Sequence, residues 1–581
     1  MHPSFSLWNK QSKRRQISVV RGEKPPTQVI TNATYLNSGR KQWTKANIWI
    51  YHDRIVYVGD ALPAKSPKIN WYDARGQFIV PGYMEHHAHP FMLYHPRAFA
   101  DYALKRGTST IFNDNLILLM HLEKKKALSF ISEMGEGPSS LYWASRVDAQ
   151  TETNDENRLF TPQNIDDWVN HPLVVQGGEF SGWPRVIAGD DSILHWVEQL
   201  KKGNKPMEGH LPGASEKTLA QLALLGVMSD HEAITGEEVL RRLDAGYTTT
   251  LRHSSLRPDL PHLINELKEA GITDYSRFLL TTDGGSPTFY EPGVMDSLLK
   301  IVLEAGIDPL AAYEMVSYNV ARHYGIEDMH GMIAPGRVAH LNFLMDVQDP
   351  TPISVMAKGE WIVQEGRVVN EPKPFDWGPY ISEQQGISWD LVEEDMHFSM
   401  PMGIHLVNNV LLKPYHIDIE ATKESLGEEH DQCFFAMVDK EGKWRMNTIL
   451  KGFATELDGL ATTFSISGDV IMIGKKKSAM KKAFEQLRAA GGGLFIENDR
   501  EDRRFHLPLP YFGMMADLSM EEVMERHASF VEVMKASGYP YDDPLYSIFF
   551  FSSTHLPYVR TTAKGIYDVH KKSVLFPTIM R

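Results

Sequence analysis

Residues Phe78 to His89 read FIVPGYMEHHAH: an apolar run, a Pro-Gly break, and two histidines with one residue between them. Residues at i and i+2 of a strand project from the same face, so His87 and His89 can reach one ion together. Imidazole suits zinc, iron, manganese or nickel, and the remaining ligands decide among them. The HxH pair alone is a weak signal, because clustered histidines also serve as core or surface residues. Four residues further along the chain give it weight. Glu179 comes directly after the apolar run Leu173–Gly178, His210 after Pro206–Gly209, His231 after Gly226–Asp230, and Asp283 after Phe278–Thr282.

These residues fall in a region of alternating pattern. Short strand-like runs such as Ser109–Phe112, Leu173–Gln176 and Phe278–Thr281 alternate with helical patterns such as Ile193–Lys202 and Glu238–Leu243. Alternating βα units predict a parallel sheet. The stretch from Gly82 to Ile333 is close to the ~250 residues of a (β/α)8 TIM-type barrel, in which the C-terminal ends of the strands converge on one site. We therefore read the chain as α/β, with the barrel over 82–333. Both flanks look like strand material, and 25–81 and 334–372 are expected to pair as one discontinuous small β-domain. Residues 373–400, rich in proline and polar residues, read as a linker, and 401–581 as a C-terminal α+β domain.

The composition bounds the function. The chain has 581 residues, 42% of them hydrophobic, with 26 Phe, 22 Tyr and 12 Trp, which is enough to fill more than one core and excludes a mainly disordered protein. A net charge of −14 argues against a nucleic-acid polymer or anionic lipid as partner. The single cysteine, Cys433, forms no internal disulfide and fits a reducing cytoplasm. The polar first residues predict no signal peptide, and no run of 18 apolar residues predicts a membrane span. One cysteine also excludes the H-x-E, P-C-x-x-C zinc site of cytidine deaminases. No G-x-S-x-G elbow supports serine hydrolysis. GDVIMIGKK at 468–476 is a poor imitation of a phosphate loop and reads as a strand and turn. Lys475–Lys477 read as a solvated helix face, and the aromatics around Phe549–Phe551 as core.

Two carboxylates and four imidazoles, His87, His89, Glu179, His210, His231 and Asp283, could hold one or two divalent ions. A bound divalent cation lowers the pKa of water from ~15.7 towards ~7. Asp283, at the last strand, is placed to take the released proton and pass it to a leaving group. The reaction class is hydrolytic attack on an sp2 carbon of an amide, lactam or amidine. Glu232 and Arg252 are candidates for contacting the substrate.

The ordered set of motifs resembles the amidohydrolase superfamily and, within it, the adenine deaminases. Gly107-Thr108-Ser109-Thr110 matches the family's G-T-T-T, Gly178-Glu179 its G-E, and Gly209-His210-Leu211-Pro212-Gly213 its G-H-x-P-G. Ser229-Asp230-His231-Glu232 and Thr282-Asp283 match its S-D-H-E and T-D. Gly331 to Arg337 (GMIAPGR) matches its G-x-I-A-P-G-R. The closing A-T-x-N-x-A is echoed by Ser317-Tyr318-Asn319-Val320-Ala321. Gly491-Gly492-Gly493 and Leu507 to Met515 extend the likeness into the third domain, so it spans roughly 27–581. The resemblance implies conversion of adenine and water to hypoxanthine and ammonia. It further implies manganese as the metal, with iron or zinc as alternatives, Glu179 as a bridge where two ions bind, and a homo-oligomer, a dimer. A family D-P-H-E is here Asp114-Asn115-Leu116-Ile117, R-E-G-S is Arg252-His253-Ser254-Ser255, H-D-S-H is Ser465-Ile466-Ser467-Gly468, and Glu85 stands where Asp is usual. Two other readings stay open: a deaminase or amidohydrolase acting on another heterocycle or cyclic amide, and a non-catalytic barrel scaffold.

Overall fold

The computed structural model describes residues 10–153, 156–381, 386–427 and 429–581. Residues 1–9 of the polar amino-terminal stretch, and 382–385 within the expected linker, lie outside the described residues. Eight strands pair in parallel and in chain order: Tyr83–Ala88, Thr108–Asn113, Ser140–Ser145, Val174–Phe180, Met207–Gly209, Val227–Asp230, Thr248–Arg252 and Phe278–Thr281. Helices between them cover the outside, so the first three strands are buried along their whole length. This is the (β/α)8 barrel.

Glu85 joins the first barrel strand to the last. Its carboxylate, fully buried, accepts hydrogen bonds from Thr281 Oγ1 (2.6 Å), Thr282 N (2.8 Å) and Thr282 Oγ1 (2.7 Å), and from His87 N on its own strand (3.0 Å). A buried donor left without a partner costs about 1–3 kcal/mol. Glu85→Ala strands several, so it is expected to destabilise the barrel by about 3 kcal/mol, read as a lower urea midpoint. A wild-type midpoint would show that the clasp contributes nothing.

Phe78–Pro81 lies inside a separate nine-stranded sheet, parallel to Gln28–Asn37 and antiparallel to Leu341–Leu344. Strands from both sides of the barrel therefore share one sheet. The chain leaves that sheet for the barrel at Gly82. A Cβ there would stand 2.1 Å from Ser109 Oγ and 3.0 Å from His340 Cβ, so the close approach needs glycine. This crossing delivers Glu85, His87 and His89 to the barrel mouth.

The third region is built on another nine-stranded sheet, with Gln432–Val438 and Trp444–Lys451 near its centre and the helix Lys477–Ala489 against it. A three-stranded sheet, Val559–Thr562, Gly565–Asp568 and Ser573–Pro577, completes the chain's C-terminal part. The solvated reading of Lys475–Lys477 is corrected here. Lys475 is buried and its Nζ donates to the carbonyl of Gly427 at 2.8 Å, while the Lys477 ammonium lies over the rings of Phe398 and Phe434. Carbonyls and aromatic faces replace water around these charges. Cys433 is fully buried, and burial pushes its thiol up to about 12, so it is inert.

The third region packs onto the barrel mouth. Ala516 N donates to Leu93 O at 2.7 Å, and Tyr546 Oη donates to Gly284 O at 3.1 Å. Trp377 stacks on Tyr511 at 4.1 Å and meets Phe130 of the barrel layer at 5.4 Å, so this part of the expected linker is packed. Among the described residues, no helix is long and apolar enough to cross a membrane.

Candidate metal centre and active site

The six ligand-type residues come from the C-terminal ends of five barrel strands and meet. His87 Nε2 and His89 Nε2 are 3.1 Å apart. Asp283 Oδ1 lies 3.0 Å from the first, 3.3 Å from the second and 3.9 Å from His231 Nε2. Glu179 Oε1 is 2.6 Å from His210 Nδ1 and 3.8 Å from His231 Nε2, and its Oε2 is 3.6 Å from His89 Nε2. The donors fall into three overlapping groups: His87, His89 and Glu179; His87, His231 and Asp283; Glu179, His210 and His231.

This arrangement fits a divalent metal. Ligands at ~2.0–2.2 Å from one ion stand roughly 3–4 Å from one another, as these do except for the closer Glu179–His210 pair. His210 Nδ1 and His231 Nε2 are buried and make no well-directed hydrogen bond despite the carboxylates beside them. A buried ring nitrogen close to several other donor atoms and without a directed hydrogen bond is the arrangement an ion would satisfy. Mixed imidazole and carboxylate donors suit manganese, iron or zinc.

The candidate ligands are themselves held. Asp114 Oδ2 lies 2.9 Å from His89 Nδ1, and Glu208 Oε1 lies 3.0 Å from His231 Nδ1. Each fixes the ring nitrogen that faces away from the site. Arg146, fully buried at its side chain, grips Asp114 through Nε (3.0 Å) and Nη2 (2.7 Å) and reaches Glu179 Oε2 at 2.6 Å. Arg252 Nη2 pairs with Asp283 Oδ2 at 2.8 Å and Nη1 with Glu232 Oε1 at 2.5 Å; Arg257 takes the other Glu232 oxygen at 2.5 Å.

Burial alone would push the Glu179 and Asp283 carboxyls up. Arg146 and His210 outweigh it at Glu179, and Arg252 and His231 at Asp283, so both are held well below the usual carboxylate range. At Glu208 burial outweighs His87 and the Ser229 hydroxyl, and the carboxyl is raised to about 7. Asp283 has φ +51°, a left-handed conformation that Asp tolerates better than most residues, just past the strand end.

The residues named from the sequence are all at this mouth. Arg252 lines the cavity over the ligands. Glu232, also read as a substrate contact, is almost fully buried with each oxygen on an arginine, and its Oε1 is 3.4 Å from both His210 Nδ1 and His231 Nε2. The sequence reading missed Arg146, Glu208 and Arg257, which belong to no motif that marks them, and it gave no role to Asp114, the residue kept from the family's D-P-H-E. It also missed the roof. The cavity, about 100 Å³, is lined by the candidate ligands His89, Glu179, His210 and Asp283, by Leu116, Ile117 and Leu256, and by Tyr546, Phe549, Phe550 and His555 from the third region. The core reading therefore fits the fully buried Phe551, while Phe549 and Phe550 face the site.

Two of the motif departures adjoin in space. Leu116 and Ile117 start the helix Leu116–His121, and His121 Nε2 is 3.2 Å from the carbonyl of Ile466 in the altered Ser465–Gly468 segment. Of the two, only the first reaches the cavity, where Leu116 and Ile117 present apolar side chains.

A converging His/Glu/Asp set at the mouth of a (β/α)8 barrel defines a metal-dependent hydrolase. Residues 78–362 match the model of the amidohydrolase family, and residues 410–573 that of the adenine deaminase C-terminal domain. The chain is 55% identical to "Putative adenine deaminase BH0637" of Halalkalibacterium halodurans, over 99% of both chains. It is 43% identical to "Putative adenine deaminase YerA" of Bacillus subtilis, again over 99% of both, and 25% identical to "Adenine deaminase" of Bacillus velezensis over 97% and 98%. The chain belongs to the adenine deaminase family of the amidohydrolases.

Proposed function

We propose that the protein deaminates adenine: adenine and water give hypoxanthine and ammonia. The observation that carries this reading is the convergence of His87, His89, Glu179, His210, His231 and Asp283 beneath a small, largely apolar cavity. Manganese is the metal that we propose, with iron or zinc as alternatives. Glu179, which turns Oε2 towards His89 and Oε1 towards His210 and His231, supports a site for two ions. When bound, the cation makes water acidic enough to react at neutral pH and offsets charge that builds on the substrate.

The chain's own groups do the rest. Asp283 accepts a proton from the attacking water and delivers it to the departing nitrogen as the C6–N bond breaks. Arg252 holds Asp283 ionised and aimed. Leu116, Ile117, Phe549 and Phe550 supply flat apolar contact for a neutral planar base and keep bulk water out. The names of the relatives support adenine as that base.

The test is ammonia release from a panel of nucleobases and cyclic amides, with Mn, Fe and Zn supplied separately. Adenine is expected to be the preferred substrate. Turnover of guanine, cytosine or a cyclic amide with none of adenine would overturn the assignment and favour the other-heterocycle reading.

A further inference from the structure

The roof of the cavity belongs to the third region, and one residue in it is chemically uncommitted. His555 lines the same space as His89, Glu179, His210 and Asp283. Its ring meets His210 edge-on at 5.2 Å and Phe550 at 5.9 Å. The backbone on its N-terminal side is tied to the barrel, where Thr554 N donates to Gln150 O at 2.8 Å, and Gln150 Nε2 in turn donates to Ser181 Oγ at 3.2 Å. Upstream in the same segment, Tyr546 Oη is tied to Gly284 O, next to Asp283. The ring is thus held over the ligands from two sides.

Apart from the ligand-type residues, the other polar side chains facing this cavity are already engaged. Asp114 is taken by Arg146 and His89, Arg252 by Glu232 and Asp283, Gln150 by Ser181 and Tyr546 by Gly284. His555 Nδ1 differs: it is buried and has no hydrogen-bond partner among the described residues. A neutral imidazole offers one donor and one acceptor, so it can serve either kind of ring nitrogen. A buried polar atom without a partner is costly, and a ligand edge would relieve it.

We propose that His555, contributed by the C-terminal domain, is a substrate-contacting specificity residue whose ring nitrogen hydrogen-bonds a ring nitrogen of the bound base. This rests on the proposed reading of the site as one that takes a planar nitrogen heterocycle. It gives the third domain a role in selecting that heterocycle.

The experiment compares metal-reconstituted wild type, His555→Ala and His555→Gln on adenine and on 1-deaza-, 3-deaza- and 7-deazaadenine, with bound metal measured for each protein. The expected result is a roughly 10- to 100-fold rise in KM for His555→Ala on adenine, the cost of one lost buried hydrogen bond. Metal content should be unchanged, kcat within a few-fold, and His555→Gln partly restored. One deaza analogue should be poor for wild type by a similar factor and lose nothing further in His555→Ala, because the partner atom is already gone. An equal loss on adenine and every analogue, no loss at all, or loss of bound metal overturns the proposal while leaving adenine deamination standing. If wild type turns over none of these purines, the proposed function falls and this inference falls with it.

Discussion

Asp283→Asn is expected to lower kcat by about 10³- to 10⁴-fold. General acid–base transfer alone contributes typically 10²- to 10⁴-fold, and this carboxylate also sits 3.0 and 3.3 Å from the His87 and His89 nitrogens, where it would hold metal. Both roles need a charged oxygen, and asparagine keeps the shape without the charge. The fold should tolerate the change, because Arg252 retains Glu232 at its Nη1. Ammonia release measured beside a circular-dichroism melt separates the two effects. A variant that keeps more than a tenth of wild-type kcat would remove Asp283 from the chemistry.

Arg146→Ala is expected to have the largest effect on stability, about 3–5 kcal/mol, the usual cost of removing one partner of a buried ion pair. Here one guanidinium serves two buried carboxylates, Asp114 and Glu179. Burial opposes the Asp114 charge, but Arg146 and then His89 depress its carboxyl below the ordinary range. A depressed carboxyl contributes stability that is present above the unfolded-state pKa, near 4, and is lost as the pH falls through the folded-state value. The gap between wild type and Arg146→Ala should therefore be full at pH 7 and narrow towards pH 3. Urea midpoints of the metal-stripped proteins across that range give the answer, and equal midpoints at pH 7 would contradict it. Arg146→Lys should recover little, since a single ammonium cannot reproduce the forked contacts.

The legible part of this protein was the part written locally. The HxH pair, and the ligand-type residues that each come after an apolar run and meet at the barrel mouth, could be read because barrel strands are short and their C-terminal ends share one site. The barrel itself was legible in the same alternation. What escaped reading was held by contacts between distant strands. Arg146 sits in an unmarked ASRVD stretch and acquires its role only when the second and fourth strands bring Asp114 and Glu179 to it. Glu208 stands two residues before His210, on a strand of three residues too short to show alternation.

The roof was the least visible feature. PLYSIFFFSSTH, residues 544–555, begins 261 residues after Asp283 and carries the apolar pattern of core, which it is at Phe551. Only the packing of the third region onto the barrel mouth turns Phe549, Phe550 and His555 towards the ligands. Lys475 and Lys477 failed in the opposite direction, because carbonyls and aromatic faces took the place of the solvent expected around a lysine run.

The central claim is that these six side chains hold catalytic metal. Its most direct test is titration of chelator-stripped protein with Mn²⁺ while ammonia release from adenine is monitored. Stripped protein should be silent, and activity should rise to a plateau at one or two equivalents per chain. Full activity without metal, or none at any Mn²⁺, Fe²⁺ or Zn²⁺ level with the metal left unbound, would contradict it.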